Sequence, residues 1–153
     1  MKFIQTFEKY KRTDNLSGVV LYVDGKLLLV HSRKHRKSKD MWSFPKGHIE
    51  GNSLNSALKE LKEETGIKLD KVYDDKLKIE YHINGKRKLL DLYLYNKSLS
   101  DLSKFITDDY KVKKKYIKNL DKEIHNVKFF NLSKAITHLQ SGQRQVINHL
   151  AHY

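Results

Sequence analysis

The sequence contains no cysteine, and no apolar run in it approaches the roughly 20 residues that a membrane-spanning helix needs. Without cysteine the chain can form neither a disulfide nor a thiolate zinc site, and thiol catalysis is excluded. Its first residues show no signal-peptide pattern. These absences lead us to expect an intracellular, cytoplasmic protein that does not act in a membrane.

Negative charge is also scarce. Thirty-one lysine and arginine residues stand against 18 aspartate and glutamate residues, which leaves a formal net charge of +13 on 153 residues. Such an excess raises the local concentration of polyanions around a protein. We therefore expect a phosphorylated polyanionic partner, RNA or a nucleotide. A lysine-rich surface that only keeps the protein soluble is the alternative.

Two β-hairpins are predicted where β-prone apolar runs flank Asp24-Gly25 and Asn84-Gly85, because these dipeptides are typical of type I′ turns. Between the hairpins the sequence predicts a short strand at MWSF, a turn from Pro45 to Gly51 and an amphipathic helix. A strand at VKFFNL and two further helices follow near the end of the chain. The pattern indicates one α+β domain over residues 1–153, a mixed sheet with helices packed on it.

The segment from residue 97 to 120 is longer than an ordinary connection, and such insertions are usually functional. Phe105, Tyr110 and Tyr116 alternate in it with seven lysines. These lysines are Lys97, Lys104, Lys111, Lys113, Lys114, Lys115 and Lys118. We interpret it as a basic insertion with two possible roles. Its charges and rings could contact the backbone and bases of a nucleic acid, or its aromatic residues could fold inward under a solvated surface.

The predicted amphipathic helix crowds three glutamates, Glu60, Glu63 and Glu64, into five residues. At roughly 100° per residue, one stripe of the helix is apolar and the three carboxylates project from a neighbouring side. The stripe consists of Leu54, Ala57, Leu58, Leu61 and Thr65. Ser53 is the predicted N-cap and Gly66 the predicted C-cap. Like charges at this spacing repel, so the crowding gains a purpose if the carboxylates bind Mg²⁺ or Mn²⁺. A solvated face is the alternative.

The surrounding stretch, WSFPKGHIEGNSLNSALKELKEETGI, resembles the Nudix box of the Nudix hydrolases, G-x5-E-x7-R-E-U-x-E-E-x-G-U with U a bulky aliphatic residue. Gly47 matches the first glycine, Glu60 and Leu61 match E-U, and Glu63 and Glu64 match the E-E pair. Gly66 and Ile67 match the end of the box. The resemblance implies a Nudix-type fold, in which a mixed sheet is sandwiched between helices as α/β/α layers.

The match departs from the family pattern in the loop before the helix. The loop glutamate is missing, with Gly51, Asn52 or Ser53 in its place, and the spacing from Gly47 to Lys59 is two residues short. Lys59 stands where the family has an arginine that orients the neighbouring glutamate. A lysine offers only a point charge in place of the planar guanidinium fork. These changes affect the shape of the loop and the expected rate, and they leave the glutamate set intact.

The resemblance implies hydrolysis of a P–O–P bond by a metal-activated water. Glu60, Glu63 and Glu64, with a backbone carbonyl near Gly47, would hold Mg²⁺ or Mn²⁺. A free carboxylate must then take a proton from the water. Glu60 and Glu64 are candidates for this base, and so is Glu123 in DKEIHNVKFF, where many family members carry a glutamate.

The substrate is expected to contact the basic loop, residues 33–39, and the lead-in to the box, WSFPKGHIE. The candidate residues are Arg33, Lys34, Arg36, Lys46 and His48, whose cations would attract phosphates. WSFPKGHIE is similar to both dinucleoside polyphosphate hydrolases and mRNA-decapping enzymes, EIHNVKFFNLSKA to decapping enzymes, and SRKH…W…PKG to diphosphoinositol polyphosphate hydrolases.

We favour a substrate of the decapping type, the 5′ end of capped or polyphosphorylated RNA. Dinucleoside polyphosphates and diphosphoinositol polyphosphates are the alternative substrates. A catalytically silent Nudix-fold protein that binds RNA or a nucleotide is the non-enzyme alternative, although the intact glutamate set argues against it.

Overall fold

The computed structural model describes residues 13–117, 122–151 and 153. Residues 1–12 of the predicted domain, and Lys118 and the rest of the predicted insertion up to residue 120, lie outside the described residues. The first hairpin joins β1 (Thr13–Val23) to β2 (Lys26–Ser32), and the second joins β5 (Asp75–Ile83) to β6 (Lys86–Lys97). All four turn residues have positive φ, as a type I′ turn requires. Both predicted hairpins are confirmed.

The other described strands are β3 (Trp42–Ser43), β4 (Lys46–His48) and β7 (Ile124–Asn131). The described helices are α1 (Ser53–Thr65), α2 (Lys114–Ile117), α3 (Leu132–His138) and α4 (Gln145–Leu150). Short 3₁₀ turns cover Arg33–His35, Ser100–Leu102 and Ser141–Gln143. None of the helices in the described part of the chain is long and apolar enough to cross a membrane.

Strand β4 lies inside the stretch that the sequence predicted as a turn. It pairs antiparallel with β1, where Ser17 faces Gly47 and Gly18 faces Lys46. The pairing needs glycine at position 18, because a Cβ there would overlap the carbonyl oxygen of Pro45. Sequence periodicity could not reveal β4, since a strand of three residues is too short to show alternation.

The described strands form one mixed sheet in the order β3-β2-β1-β6-β5, with β4 paired to β1 and β7 paired to β2. Strands β1 and β6 run parallel along the whole of β1, and the other pairs are antiparallel. Side chains of β1 alternate between the two faces of the sheet. One face packs on Ala57 and Leu61 of α1, and the other packs on Val146 and Leu150 of α4. This confirms the predicted α/β/α layers.

The N-cap of helix α1 is one residue earlier than predicted, and its C-cap is the predicted glycine. Asn52 is the N-cap, since its side-chain oxygen accepts a hydrogen bond from the N–H of Asn55 at 2.9 Å. The predicted cap, Ser53, instead donates its hydroxyl to Asp91 on β6 at 2.9 Å. Gly66 ends the helix with φ 80°, in the left-handed region that glycine adopts without strain.

Residues 97–117, the described part of the predicted insertion and hereafter the basic segment, pack on the α1 side of the sheet. Leu102, Ile106 and Val112 are buried there. The three aromatic residues, Phe105, Tyr110 and Tyr116, are partly buried against the same core. The structure therefore favours the second of the two interpretations, in which the aromatic residues of the segment fold inward.

Candidate active site

Strand β4 and helix α1 bring Gly47 and Glu60 together. The carboxylate of Glu60 lies against the backbone of Gly47, so closely that a Cβ at position 47 would overlap it. Pairing with β1 fixes Gly47, and the buried residues of α1 fix Glu60. A backbone segment without a side chain thus faces a half-buried carboxylate, which is the juxtaposition that the Nudix-box match predicted.

Glu64 and Glu123 both line a cleft of about 290 Å³. The cleft is lined by, among others, Lys34, Lys46, Glu64, Lys86, Lys88 and Glu123. Only 6% of Glu64 is exposed, although it belongs to a helix side that also carries charged residues. Glu123 precedes β7, and its carbonyl oxygen accepts a hydrogen bond of 2.7 Å from the backbone N–H of Arg33. That bond holds the basic loop against the turn that carries Glu123.

Glu63 differs from Glu64 in its surroundings. It is exposed, and its Oε1 lies 3.8 Å from Nζ of Lys59, one helical turn earlier. Nζ of Lys59 also lies 3.8 Å from Oε2 of Glu50. The three glutamates therefore differ in burial, with Glu64 buried, Glu60 half-buried and Glu63 exposed. In residues 13–117 and 122–151, no three carboxylate or histidine side chains are gathered closely enough to hold a metal ion.

The donor atoms nevertheless fit a hard divalent cation. Carboxylate and carbonyl oxygens are the ligands that Mg²⁺ and Mn²⁺ prefer. The missing side chain of Gly47 leaves its backbone open to the Glu60 carboxylate. Burial makes the negative charge of Glu64 costly, and a bound cation would offset that cost. Glu60, Glu64 and the backbone of Gly47 are thus the residues that could hold the metal.

Four lysines from three stretches of the chain line the cleft, Lys34, Lys46, Lys86 and Lys88. Burial lowers the pKa of Lys46, and repulsion from Lys88 and Lys34 acts in the same direction. Attraction by Glu64, and to a lesser extent by Glu60, opposes that lowering. Lys88 also forms an ion pair with Asp14 of β1. The cleft therefore combines concentrated positive charge with buried carboxylate.

The other predicted substrate contacts lie outside the cleft lining. The side chain of Arg33 is exposed, whereas its backbone binds the carbonyl of Glu123. Arg36 lines a different hollow. His48 is exposed, with its Nε2 3.7 Å from Oδ1 of Asp14. Lys34 and Lys46 are the members of the predicted set that line the cleft, and their role in binding stays a prediction.

Sequence reasoning missed Lys86, Lys88 and Tyr81, which line the cleft from the second hairpin. Lysines two residues apart on a strand project from the same face, so the KRK run after Asn84-Gly85 did contain a signal. Tyr81 is buried, and burial raises the pKa of its hydroxyl. Its oxygen accepts a hydrogen bond of 3.2 Å from Nε2 of Gln143. Gln143 also accepts one of 3.0 Å from the N–H of Phe44, which ties the C-terminal helices to the lead-in to β4.

Comparison with known proteins identifies a family and two relatives of the chain. A family model described as NUDIX domain matches residues 11–150. Over 87 residues the chain is 36% identical to two proteins of Saccharomyces cerevisiae, mRNA-decapping enzyme subunit 2 and m7GpppN-mRNA hydrolase. This match covers 54% of the chain and 9% of each relative, so the chain spans about a tenth of the length of these relatives.

Among solved structures, the chain resembles an Ap4A hydrolase from C. elegans with a TM-score of 0.67. The two are 21% identical, and the likeness covers 92% of this chain and 99% of the other. At that identity the likeness establishes a shared fold.

Proposed function

The chain belongs to the Nudix family of hydrolases, which act on phosphoric anhydrides, and from this premise we propose that it cleaves the P–O–P bond at the 5′ end of capped or polyphosphorylated RNA. The observation that carries the proposal is the cleft, in which lysines from three stretches of the chain surround the buried Glu64 and face Glu123. A chain of phosphates is the ligand whose charge and shape match that lining.

The lysines bind and orient the phosphates. A partly dehydrated ammonium forms a stronger hydrogen bond with a phosphate oxygen than one in water does. Lys46, half-buried between Glu64 and the other lysines, is the innermost of these cations. Lys34 comes from the basic loop, and Lys86 comes from the second hairpin. The phosphate chain is thus held from two sides, with its anhydride bond near the carboxylates.

The metal ligands that we propose are Glu60, Glu64 and the Gly47 carbonyl, with Glu63 at the outer edge of the site. Glu63 is paired with Lys59 and would contribute after leaving that lysine. A divalent cation held by these residues would supply a water of lowered pKa and would offset charge on the phosphates. Lys59 positions Glu63 and Glu50, rather than replacing the family arginine at Glu60.

Glu123 is the general base that we propose among the three candidates. It lines the cleft from the turn before β7, opposite the helix that carries Glu60 and Glu64. The two helical glutamates are better placed to hold the metal, since they lie beside Gly47 and Lys46. Glu123 would accept the proton of the attacking water, while the backbone bond from Arg33 fixes its position.

RNA is favoured over small polyphosphates by two observations. The sequence match is to mRNA-decapping enzymes, at 36% over 87 residues, whereas the likeness to an Ap4A hydrolase, at 21% identity, establishes the fold alone. The net charge of +13 also exceeds what a small ligand needs. The size of the cleft favours the second candidate, a dinucleoside or diphosphoinositol polyphosphate, because about 290 Å³ lies at the lower end of small-molecule pockets.

A turnover assay in Mg²⁺ and in Mn²⁺ tests the proposal. The substrates are capped RNA, 5′-triphosphorylated RNA, free cap dinucleotide, diadenosine tetraphosphate and an inositol pyrophosphate. Glu64→Gln is the inactive control, and chelation with EDTA should abolish every activity. We expect capped RNA to be cleaved faster than the free cap dinucleotide.

Preferential cleavage of the small polyphosphates would remove RNA from the function. The absence of turnover on every substrate with either metal would contradict the enzyme assignment itself.

A further inference from the structure

A second hollow, of about 250 Å³, lies across the sheet from the cleft. Successive residues of a strand point to opposite faces. Accordingly Val30 and Ser32 of β2 line the cleft, whereas His31 between them lines the hollow. We call it the basic hollow; it is lined by, among others, Arg36, Lys37, Lys39, Trp42, Lys128 and His138.

The cations of the basic hollow come from two elements. Arg36, Lys37 and Lys39 belong to the loop after β2, and Lys128 belongs to β7. All four are exposed. Within the described ranges none of them forms an ion pair with a carboxylate, unlike Lys59 or Lys88. Four uncompensated positive charges around one concavity attract an anion more strongly than scattered lysines do.

The walls of the hollow are aromatic. The ring of Trp42 stacks on that of His31, with centroids 4.7 Å apart and planes 10° apart. Phe130 meets Trp42 edge-on at 5.0 Å, and His138 lies against Phe130 at 5.0 Å. His31, Trp42 and Phe130 are buried, so among these four rings His138, which is half-exposed, is the one accessible to a base. Such a combination of rings and cations suits a nucleotide better than it suits an acidic peptide.

The buried ring of His31 lines the hollow. His31 is 4% exposed, and its Nδ1 lies 2.7 Å from Nε2 of His125. Its own Nε2 is buried without a hydrogen bond of ordinary geometry in the described part of the chain, and the backbone of His35 and Ser38 lies near the ring. Buried polar atoms without a partner are rare, because each costs free energy.

The cleft and the basic hollow share the loop that follows β2. Lys34 and His35 of this loop line the cleft, and Arg36, Lys37 and Lys39 line the hollow. A polynucleotide whose 5′ end occupies the cleft cannot fit the rest of its length into about 290 Å³. A polynucleotide that passes over this loop therefore runs directly from the cleft to the basic hollow.

We propose that the basic hollow binds the body of the RNA, with its cations on the phosphate backbone and the half-exposed ring of His138 against a base. This inference rests on the proposed function and deepens it, because it assigns the part of the substrate that the cleft cannot hold. Base stacking would make the binding depend on nucleic acid, and the phosphate contacts would make it depend on salt.

Trp42 is the only tryptophan in the chain and lines the basic hollow, so its fluorescence reports occupancy there. The probe is a short oligouridylate with a 5′-hydroxyl, which has no anhydride for the cleft. We expect this RNA to change the fluorescence of Trp42, with an apparent Kd that rises steeply with salt concentration. Free cap dinucleotide should change it much less. No response to the oligouridylate at low salt would overturn the inference.

The double variant Lys39→Gln with Lys128→Gln removes two of the cations. Each phosphate contact on a single strand contributes about 0.7 to the slope of log K against log salt, so the slope should fall by about 1.4. Binding should weaken by roughly tenfold at moderate salt, while hydrolysis of cap dinucleotide stays unchanged. The matched control, Lys104→Gln with Lys114→Gln, removes the same charge from the basic segment and should leave the slope unchanged.

Equal losses in the two double variants would overturn the inference, since net charge alone would then explain binding. Polyglutamate that changes Trp42 fluorescence as RNA does, and is weakened by the same variant, would also overturn it in favour of an acidic protein partner. Failure of the proposed function has a different signature: capped RNA would not be cleaved, yet oligouridylate binding would still respond to the hollow variant.

Discussion

The cleft and the basic segment hold comparable numbers of lysines but use them in opposite ways. In the cleft, four lysines from three distant stretches converge around Glu64. In the basic segment, six lysines follow one another along residues 97–117. There the chain is anchored by apolar residues instead, and Tyr110 donates its hydroxyl to Asp24 in the first hairpin turn at 2.8 Å. Density of charge along a sequence is thus a weaker guide to a binding site than convergence in space.

The largest expected effect separates the glutamates of the cleft from the charged surface. Glu64→Gln should lower kcat by at least about 100-fold, because it removes a buried carboxylate from the reacting site without changing the shape of the side chain. Glu63→Gln should cost much less, since Glu63 is exposed and paired with Lys59. Steady-state kinetics with capped RNA checks both. Equal losses would place Glu63 at the metal and contradict the ranking.

The basic segment should prove structural. Ile106 of this segment is only 2% exposed. Ile106→Ala would leave a cavity in the core, so it should lower the free energy of unfolding by about 2–5 kcal/mol. Urea denaturation measures this change. At a temperature where the variant is folded, its KM for capped RNA should match that of the unchanged protein. A raised KM at full folding would show that the segment contributes to the substrate site.

Neutralising lysines should distinguish the two regions directly. Lys34→Gln with Lys86→Gln should raise KM by roughly tenfold and leave kcat nearly unchanged, because bonds from charged donors to the phosphates are lost. Lys104→Gln with Lys114→Gln removes the same number of charges from the basic segment. This variant should alter KM less than twofold, because exposed surface charges contribute little. If both double variants raised KM equally, net charge alone would explain the effect.

The smallest effect is expected where the basic segment touches the first hairpin. Tyr110→Phe removes the hydroxyl that binds Asp24, a contact in solvent, so the Tm should fall slightly and less than in Ile106→Ala. Thermal unfolding followed by circular dichroism measures the difference. Phe105→Ala, which truncates a partly buried ring of the same segment, is the comparison variant and should lower the Tm more.

Local signals in the sequence predicted most of the fold. Asp24-Gly25 and Asn84-Gly85 can adopt the positive φ that a type I′ turn needs, so these two dipeptides predicted both hairpins. The period of apolar residues predicted α1, and Gly66 its end. Strand β4 could not be predicted in this way, because its three residues are held by pairing with β1 rather than by their own pattern.

The site was only half predictable for a related reason. Gly47, Glu60 and Glu64 belong to a motif that is contiguous in sequence, so they could be identified in order. The KRK run places Lys86 and Lys88 on one face of β6, but they reach the cleft because β5 and β6 fold back beside β1, which local sequence does not show. Arg36 fails as a cleft residue for the opposite reason, since the loop after β2 turns its side chain to the far side of the sheet.

The parallel pairing of β1 with β6 has a consequence for how the chain reaches its native state. Val23 pairs with Lys97 and Thr13 with Arg87, so the central ladder joins segments more than 70 residues apart. Closing so long a loop is slow, and pairings of this kind set the folding rate of small domains. During synthesis, one edge of β1 stays unpaired until Lys97 has left the ribosome. We expect protein shortened before β6 to aggregate rather than to fold, because a long apolar strand edge would remain open.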